Sequence, residues 1–201
     1  MNILADLLTQ KGVLKTRAII GAFSRVDRKD FVPQDFQEYA YGDYPLPIAG
    51  EQTISQPTTV AFMLELLQPQ QGEKILDVGS GSGWTTALLA FLVGEKGRVF
   101  GVERIPELVA FGAKNLGQYD FPQATIAQAG TELGLAKEVP FDKILVSAAA
   151  QSFPETLLSQ LKEGGLLVIP VQNAVWRVKK LSQGKTEIQK FEGFAFVPLV
   201  A

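Results

Sequence analysis

Residues 75–83, with the sequence ILDVGSGSG, decide the fold of this chain. A short apolar run that ends in three alternating glycines is typical of a buried strand followed by a tight turn. The next residues, Trp84–Val93, are predicted to form a helix. The first N–H groups of a helix lack partners within it and attract a carboxylate or a phosphate. The motif therefore predicts a strand, a turn and a helix, with a ligand against the glycines.

The chain after residue 73 alternates between apolar runs and amphipathic stretches. We predict strands at Lys74–Val78, Arg98–Val102, Ala124–Ala129, Lys143–Ala148 and Leu166–Val171, with further helices at Pro106–Leu116 and Pro154–Leu161. This alternation is typical of a parallel sheet with helices on both faces. Two later stretches, Ala174–Leu181 and Phe191–Leu199, predict an antiparallel edge. The expected fold class is α/β, a doubly wound and mostly parallel sheet.

The first 70 residues differ in pattern from the rest. Apolar residues at three- and four-residue spacing predict N-terminal helices within residues 2–10 and 14–26, and again over Gln56–Leu67. Residues 31–57 contain four prolines that prevent a continuous helix. A long stretch without regular structure is unusual in a compact domain and is often functional.

Composition removes several kinds of chemistry. The 201 residues include no cysteine and no histidine, which excludes disulfides, thiolate nucleophiles and the usual general base near neutral pH. We expect no metal site, and catalysis must use carboxylates, hydroxyls, backbone amides or a bound cofactor. The net charge of −2 and the isoelectric point of about 5.3 argue against nucleic acid as a partner, because phosphates bind basic surfaces.

Targeting signals are not recognisable at the N-terminus, where no basic region precedes an apolar stretch. The longest apolar run, residues 165–171, is far shorter than the roughly 20 residues of a membrane span. We therefore expect a cytoplasmic protein without a membrane partner.

Two acids suggest which ligand the glycine turn holds. Asp77 precedes the turn, and Glu103 follows the next predicted strand. An acid about 20 residues after such a turn can accept hydrogen bonds from ribose hydroxyls. With Asp77, the G-x-G-x-G spacing resembles motif I of class I S-adenosylmethionine methyltransferases. An NAD-dependent enzyme is the alternative, although its turn is G-x-G-x-x-G. A tight turn without a ligand and a solvated Glu103 remain the simpler interpretations.

Four segments outside this turn resemble the protein-L-isoaspartate O-methyltransferase family. They read RVDRKDFVP at 25–33, YGDYPLPIAGEQTISQP at 41–57, FDKILVSAAAQSFPETLLSQLKEGGLLVIPV at 141–171 and FVPL at 196–199. The TISQP element at 53–57 is the most family-specific, because it lies outside the common methyltransferase core. The resemblance implies a Rossmann-like fold and methyl transfer from S-adenosylmethionine to the α-carboxyl of L-isoaspartyl residues in damaged proteins. The length of the chain favours one domain, a methyltransferase domain over residues 1–201, and we expect a monomer.

Within this domain, we expect residues 1–70 to form the N-terminal helices and the substrate-side segment, 71–171 the cofactor-binding core and 172–201 the C-terminal strands. The resemblance also assigns roles to single residues. It makes Ser55 the active-site serine that hydrogen-bonds the substrate carboxylate; the alternative is an N-cap for the helix near Pro57. Trp84 is expected to pack in the core. The cofactor residues would be Thr53, Ile54, Asp77, Gly79, Ser80, Gly81, Ser82, Gly83, Glu103 and Thr131.

Val197, Pro198 and Leu199 match a segment that covers the bound peptide in the family; the alternative is an edge strand packed on the core. The lack of histidine fits this chemistry. A carboxylate has a pKa of about 4 and is already a nucleophile at neutral pH, so the protein mainly positions two reactants.

Two positions depart from the family pattern. Ala49 and Glu51 replace glycines before TISQP, and an inward-facing Glu51 would repel a substrate carboxylate. Gly130-Thr131-Glu132 replaces Gly-Asp-Gly, so an uncharged Thr131 would face the adenine amino group unless Glu132 takes over. The expected loss in cofactor affinity is on the order of tenfold. These departures leave two alternatives: a different carboxylate substrate, or a non-catalytic homologue that has lost the cofactor.

Overall fold

The computed structural model describes residues 3–199. Asn2, the predicted start of the first helix, lies outside this range. The described helices are α1 Ile3–Gln10, α2 Arg17–Arg25, α3 Pro57–Leu67, α4 Trp84–Val93, α5 Pro106–Leu116 and α6 Glu155–Ser159. The strands are β1 Leu46–Pro47, β2 Thr53–Ile54, β3 Lys74–Val78, β4 Arg98–Glu103, β5 Ala124–Gln128, β6 Phe141–Val146, β7 Leu161–Val171, β8 Ala174–Lys180 and β9 Thr186–Glu192.

Seven strands form one sheet in the order β5-β4-β3-β6-β7-β8-β9. The pairs from β5 to β7 are parallel, and β8 and β9 are added antiparallel. The predicted fold class is thereby confirmed. The chain winds outward from β3 through β4 and β5, then returns to the other side of β3 at β6. The carboxyl end of β3 is therefore the switch point where open α/β sheets bind ligands.

The central strands are apolar because both faces of the sheet are covered. Alternating residues of β3 enter two different cores, Ile75 on one face and Leu76 on the other, and both are fully buried. Helix α4 is buried around nearly its whole circumference, since it lies beneath the sheet and contacts both α2 and α5. Its length and position fix the glycine turn that precedes it.

Residues 31–57 contain short pieces of structure between the N-terminal helices and the sheet. Two 3-10 helices, Arg28–Phe31 and Gln34–Tyr39, are followed by the small hairpin β1–β2. The hairpin pairs Leu46 with Ile54 and Pro47 with Thr53. The prediction that this region holds no continuous helix is confirmed, and the hairpin carries the TISQP element towards the sheet.

Several predicted boundaries differ from the structure, and two of the differences have a clear physical cause. The last strand is Thr186–Glu192, not Phe191–Leu199, because Gly193 adopts a φ of +92° and turns the chain out of the sheet. The helix predicted at Pro154–Leu161 ends at Ser159, and Leu161 begins β7. Pairing of Leu161 with Phe141 in β6 outweighs the local helical pattern.

Candidate active site

A cavity of about 430 Å³ opens at the carboxyl ends of the central strands. All but two of the predicted site residues line it, although they come from distant parts of the chain. These lining residues are Thr53, Ile54, Ser55, Gly79, Ser80, Gly81, Ser82, Glu103, Thr131, Val197, Pro198 and Leu199. Asp77 and Gly83 lie outside the lining. The fold thus brings the predicted cofactor, acceptor and C-terminal segments to one place.

The glycine turn depends on left-handed backbone conformations. Gly79, Gly81 and Gly83 have φ values of +75°, +51° and +87°. A side chain at Gly83 would place its Cβ 2.8 Å from the carbonyl oxygen of Gly112 in α5, so this glycine is also required by the packing of α5. The turn can therefore present its backbone to the cavity only with glycine at Gly83.

Asp77 joins the end of β3 to the start of α4, on either side of the glycine turn. One oxygen, Oδ2, accepts hydrogen bonds from the hydroxyls of Thr85 and Thr86, each at 2.7 Å. The other, Oδ1, is buried without a hydrogen-bond partner among residues 3–199. The two threonines are site residues that the sequence interpretation missed. A hydroxyl in the first helical turn after an acid-ended strand is the signal that would have found them.

Burial raises the pKa of Asp77 from 3.8 to about 6, against the lowering effect of the two threonine hydrogen bonds and with a further increase from Glu103. The folded chain therefore holds this proton more tightly than the unfolded chain. Stability from this group is present below pH 4 and is lost as the pH rises through 6.

We therefore expect Asp77→Asn to remove a pH dependence of stability. Between pH 4 and pH 7 the wild-type free energy of unfolding should fall, relative to this variant, by on the order of 2 kcal/mol. The comparison is needed because Asp43, Glu65 and Asp142 have lowered pKa values and act in the opposite direction. Urea unfolding at several pH values measures the difference, and parallel profiles for the two proteins would contradict the expectation.

Glu103 joins the end of β4 to the glycine turn. Its Oε2 accepts from the Gly81 N–H at 3.0 Å, and its Oε1 accepts from the N–H groups of Arg104 and Ile105 at 2.7 and 2.9 Å. The side chain is 7% exposed. These donors fix the carboxylate at the cavity wall, so Glu103 is a held group and not the solvated acid of the simpler interpretation.

Ser55 reaches the cavity at the end of the β1–β2 hairpin. The N-cap of α3 is Gln56, which makes no side-chain cap hydrogen bond, so the alternative role of Ser55 as N-cap residue is wrong. The carbonyls of Ile54 and Ser55 accept hydrogen bonds from Arg28 Nη2 at 3.4 and 3.1 Å. No pattern in the sequence singles out Arg28, because its acceptors are backbone carbonyls far along the chain.

The C-terminal segment forms another wall. Ala149 donates to the Val197 carbonyl and accepts from the Leu199 N–H, both at 2.8 Å. Phe194 stacks on Phe62 of α3 with ring centroids 5.1 Å apart. The segment therefore lies beside the cavity and outside β9. It forms no continuous strand over 191–199, but an isolated parallel bridge joins Pro198 to Ala149 and Leu199 packs against the core, so part of the predicted alternative is present.

Glu51 and Thr131, the two departures, differ in position. Glu51 is exposed, has a φ of +58° and is absent from the cavity lining. The left-handed backbone explains why glycine suits this position. Thr131 and Glu132 both line the cavity, so either can reach a ligand there.

The prediction that Trp84 packs in the core is confirmed, and this residue also borders the cavity. It is 2% exposed, and its ring meets Phe23 edge-to-face at a centroid distance of 5.5 Å. Its Nε1 has no hydrogen-bond partner in the described part of the chain. The ring fixes the start of α4 immediately after the glycine turn.

The cavity fits a small molecule with polar groups. Buried polar atoms without partners within residues 3–199 surround the turn, namely Asp77 Oδ1, Ser80 Oγ and Trp84 Nε1. The volume lies in the range of about 300–1,000 Å³ that small-molecule sites occupy. Residues 3–199 contain no group of three or more acidic side chains arranged to hold a metal ion. None of their helices is long and apolar enough to cross a membrane.

The switch-point cavity, the glycine turn and the held acid after the next strand define a Rossmann-like methyltransferase of class I. The chain belongs to the protein-L-isoaspartate(D-aspartate) O-methyltransferase family, whose sequence profile matches residues 1–201.

Relatives in this family are similar over nearly their whole length. A protein-L-isoaspartate O-methyltransferase of Methanopyrus kandleri is 44% identical over 98% of this chain and 89% of its own. One of Thermococcus onnurineus is 43% identical over 97% and 90%. A Plasmodium falciparum protein of this description, solved with S-adenosyl-L-homocysteine, superposes with a TM-score of 0.86 at 26% identity, covering 98% of this chain and 96% of that one.

Proposed function

We propose that this chain repairs damaged proteins by transferring a methyl group from S-adenosylmethionine to the α-carboxyl of L-isoaspartyl residues, as a cytoplasmic monomer. The observation that carries the proposal is the position of Ser55. The hairpin places this half-buried serine in the same cavity as the glycine turn and Glu103. An acceptor held by Ser55 therefore shares the cavity with a cofactor held by the turn.

The residues that would hold the cofactor fall into two groups. Gly79 to Ser82, with Thr53 and Ile54, would contact its methionine end, while Glu103 would accept from the ribose and Thr131 would face the adenine. Asp77 and Gly83 support the turn from outside the cavity. When bound, the cofactor supplies an electrophilic methyl group and a neutral thioether leaving group.

The chain itself orients the acceptor and excludes water. The Ser55 hydroxyl donates a hydrogen bond to one oxygen of the substrate carboxylate, which leaves the other oxygen free to attack. Val197, Pro198 and Leu199 cover the peptide on the opposite side. No side chain needs to accept a proton, because the carboxylate is ionised at neutral pH. A site without histidine is therefore sufficient for this reaction.

The test uses two synthetic peptides that differ only in one L-isoaspartyl or L-aspartyl residue. Purified protein and labelled S-adenosylmethionine should place base-labile label on the isoaspartyl peptide alone. Label on neither peptide, with S-adenosylhomocysteine still bound in a calorimeter, would show a different substrate. No binding of S-adenosylhomocysteine would show a non-catalytic homologue.

A different carboxylate substrate is not favoured by any observation. Its motivation was an inward-facing Glu51, and this side chain is exposed and outside the cavity lining.

Thr131→Asp should tighten binding of S-adenosylhomocysteine by about tenfold, because a charged acceptor strengthens a hydrogen bond to the adenine amino group. Calorimetry on the purified variant measures the change. Ser182→Asp adds the same charge at an exposed turn outside the cavity and should leave the affinity unchanged. If Thr131→Asp has no effect while Glu132→Gln weakens binding, Glu132 fills this role instead.

A further inference from the structure

Arg28 is the most deeply buried cation near the cavity. Its side chain is 0% exposed. Nη1 donates to the carbonyls of Ala40 and Gly42 at 2.8 and 3.2 Å, and Nη2 donates to those of Tyr44, Ile54 and Ser55 at 3.0, 3.4 and 3.1 Å. One guanidinium thus holds the backbone of residues 40–55 from within.

All five acceptors are neutral, so the charge of Arg28 is not cancelled by a direct ion pair within residues 3–199. Burial lowers its pKa to about 10, and the nearby Asp43 opposes this effect; the residue stays charged at neutral pH. Asp43 is itself paired with Lys11 at 2.6 Å. The group of Lys11, Asp43 and Arg28 therefore keeps one positive charge.

This charge lies one layer behind the cavity wall. Nη2 bonds the Ser55 carbonyl, and the guanidinium carbon is 5.5 Å from the centroid of the Trp84 ring; Ser55 and Trp84 both line the cavity. In a buried region of low dielectric, a charge acts over such distances with little screening.

The charged residues of the cavity lining carry no net positive charge. They are Glu103, Arg104 and Glu132, two acids and one base, so the lining by itself repels an anion. Arg104 follows Glu103 at the end of β4 and is not on the hairpin that carries Ser55. The cofactor, when bound, would bring a positive sulfonium to the methyl group, and Arg28 adds a fixed positive potential behind Ser55.

We propose that Arg28 is a positioning residue that also sets the preference of the site for an anionic acceptor. It holds the carbonyls of Ile54 and Ser55, and its buried charge favours a carboxylate at the Ser55 end of the cavity. This inference rests on the proposed function and names the chemistry by which the site selects its acceptor.

The experiment compares Arg28→Gln, Arg28→Lys and the wild type, with Arg177→Gln as a matched control. Arg177 also donates to a backbone carbonyl, that of Leu66 at 3.1 Å, but Leu66 does not line the cavity, whereas Ile54 and Ser55 do. Steady-state methyl transfer to the isoaspartyl peptide at saturating cofactor gives KM and kcat, and calorimetry gives the affinity for S-adenosylhomocysteine.

Arg28→Gln should raise the peptide KM by at least about tenfold, while Arg28→Lys, which keeps the charge, should stay within about threefold of the wild type. The control should leave KM unchanged, and the affinity for S-adenosylhomocysteine should change by less than about twofold in every variant. An unchanged KM in Arg28→Gln, or equal increases in both Arg28 variants, would overturn the inference. Absence of wild-type methyl transfer would instead overturn the proposed function.

If Arg28→Gln fails to fold, a measurement on the wild-type protein tests the preference for an anionic acceptor. A peptide with an α-carboxamide in place of the α-carboxylate should inhibit methyl transfer competitively. Its Ki should be at least about tenfold above the Kd of the carboxylate peptide, measured on the protein bound to S-adenosylhomocysteine. Equal affinity for the two peptides would show that the charge of Arg28 does not favour a carboxylate.

Discussion

Gly83→Ala is expected to weaken binding of S-adenosylhomocysteine by about thirtyfold or more, equivalent to about 2 kcal/mol, and to lower the stability of the fold. The added Cβ would lie 2.8 Å from the Gly112 carbonyl oxygen and 3.0 Å from Ile126 Cδ1. The backbone must then move away from α5, and Ser82 and Trp84 move with it. Since both residues line the cavity, the ligand site changes shape.

Gly72→Ala separates this clash from the cost of the left-handed backbone. Gly72 has a φ of +82°, but nothing lies within 4 Å of its added Cβ. It should lose about 1 kcal/mol of stability and none of its ligand affinity. Calorimetry and urea unfolding on the two variants give both quantities. Equal affinities for Gly83→Ala and the wild type would mean that the turn does not contact the ligand.

Ser55→Ala is expected to reduce kcat/KM for the isoaspartyl peptide by between about tenfold and about a hundredfold. A hydrogen bond to a charged group contributes about 1.5–3 kcal/mol, and the hydroxyl is the group proposed to hold the substrate carboxylate. The affinity for S-adenosylhomocysteine should stay the same, because the backbone of Ser55 remains bound to Arg28. Steady-state kinetics with calorimetry on the same preparation measures both.

Ser152→Ala provides the control for this substitution, since Ser152 is exposed and outside the cavity lining. It should behave as the wild type. A Ser55→Ala enzyme with unchanged kcat/KM would remove Ser55 from the acceptor site, and a parallel loss of S-adenosylhomocysteine affinity would place it on the cofactor instead.

The sheet was predictable because its signals are local. The apolar run of β3, the glycines after it and the acid at the end of β4 are each recognisable from a few neighbouring residues. Tertiary contacts decided the parts that were predicted wrongly. Leu161 continues a helical pattern, yet it pairs with Phe141. Phe194 and Phe196 suit a strand, but Gly193 turns the chain so that Phe194 packs on α3.

The residues that line the site were predictable from the sequence, but the residues that hold them in place were not. The lining residues were found from the glycine turn and from the resemblance at TISQP. Their supports were not found. The bonds of Thr85 and Thr86 to Asp77 follow a local pattern that was not used, whereas the bonds of Arg28 to five carbonyls depend on how distant segments meet. The direction of Glu51 also required the structure, since sequence proximity to Ser55 does not fix where a side chain points.

The cavity wall is assembled from stretches as far apart in the chain as residues 48–55 and 197–199. A molecule bound there acts as a non-covalent cross-link between regions that are otherwise joined mainly through the sheet. Opening of a stretch that contacts the ligand must release the ligand, so its presence suppresses hydrogen exchange and proteolysis in the stretches that line the cavity. At a hundred times its Kd a ligand adds about 2.7 kcal/mol to the cost of unfolding. The lifetime of the folded chain would then follow the supply of its methyl donor.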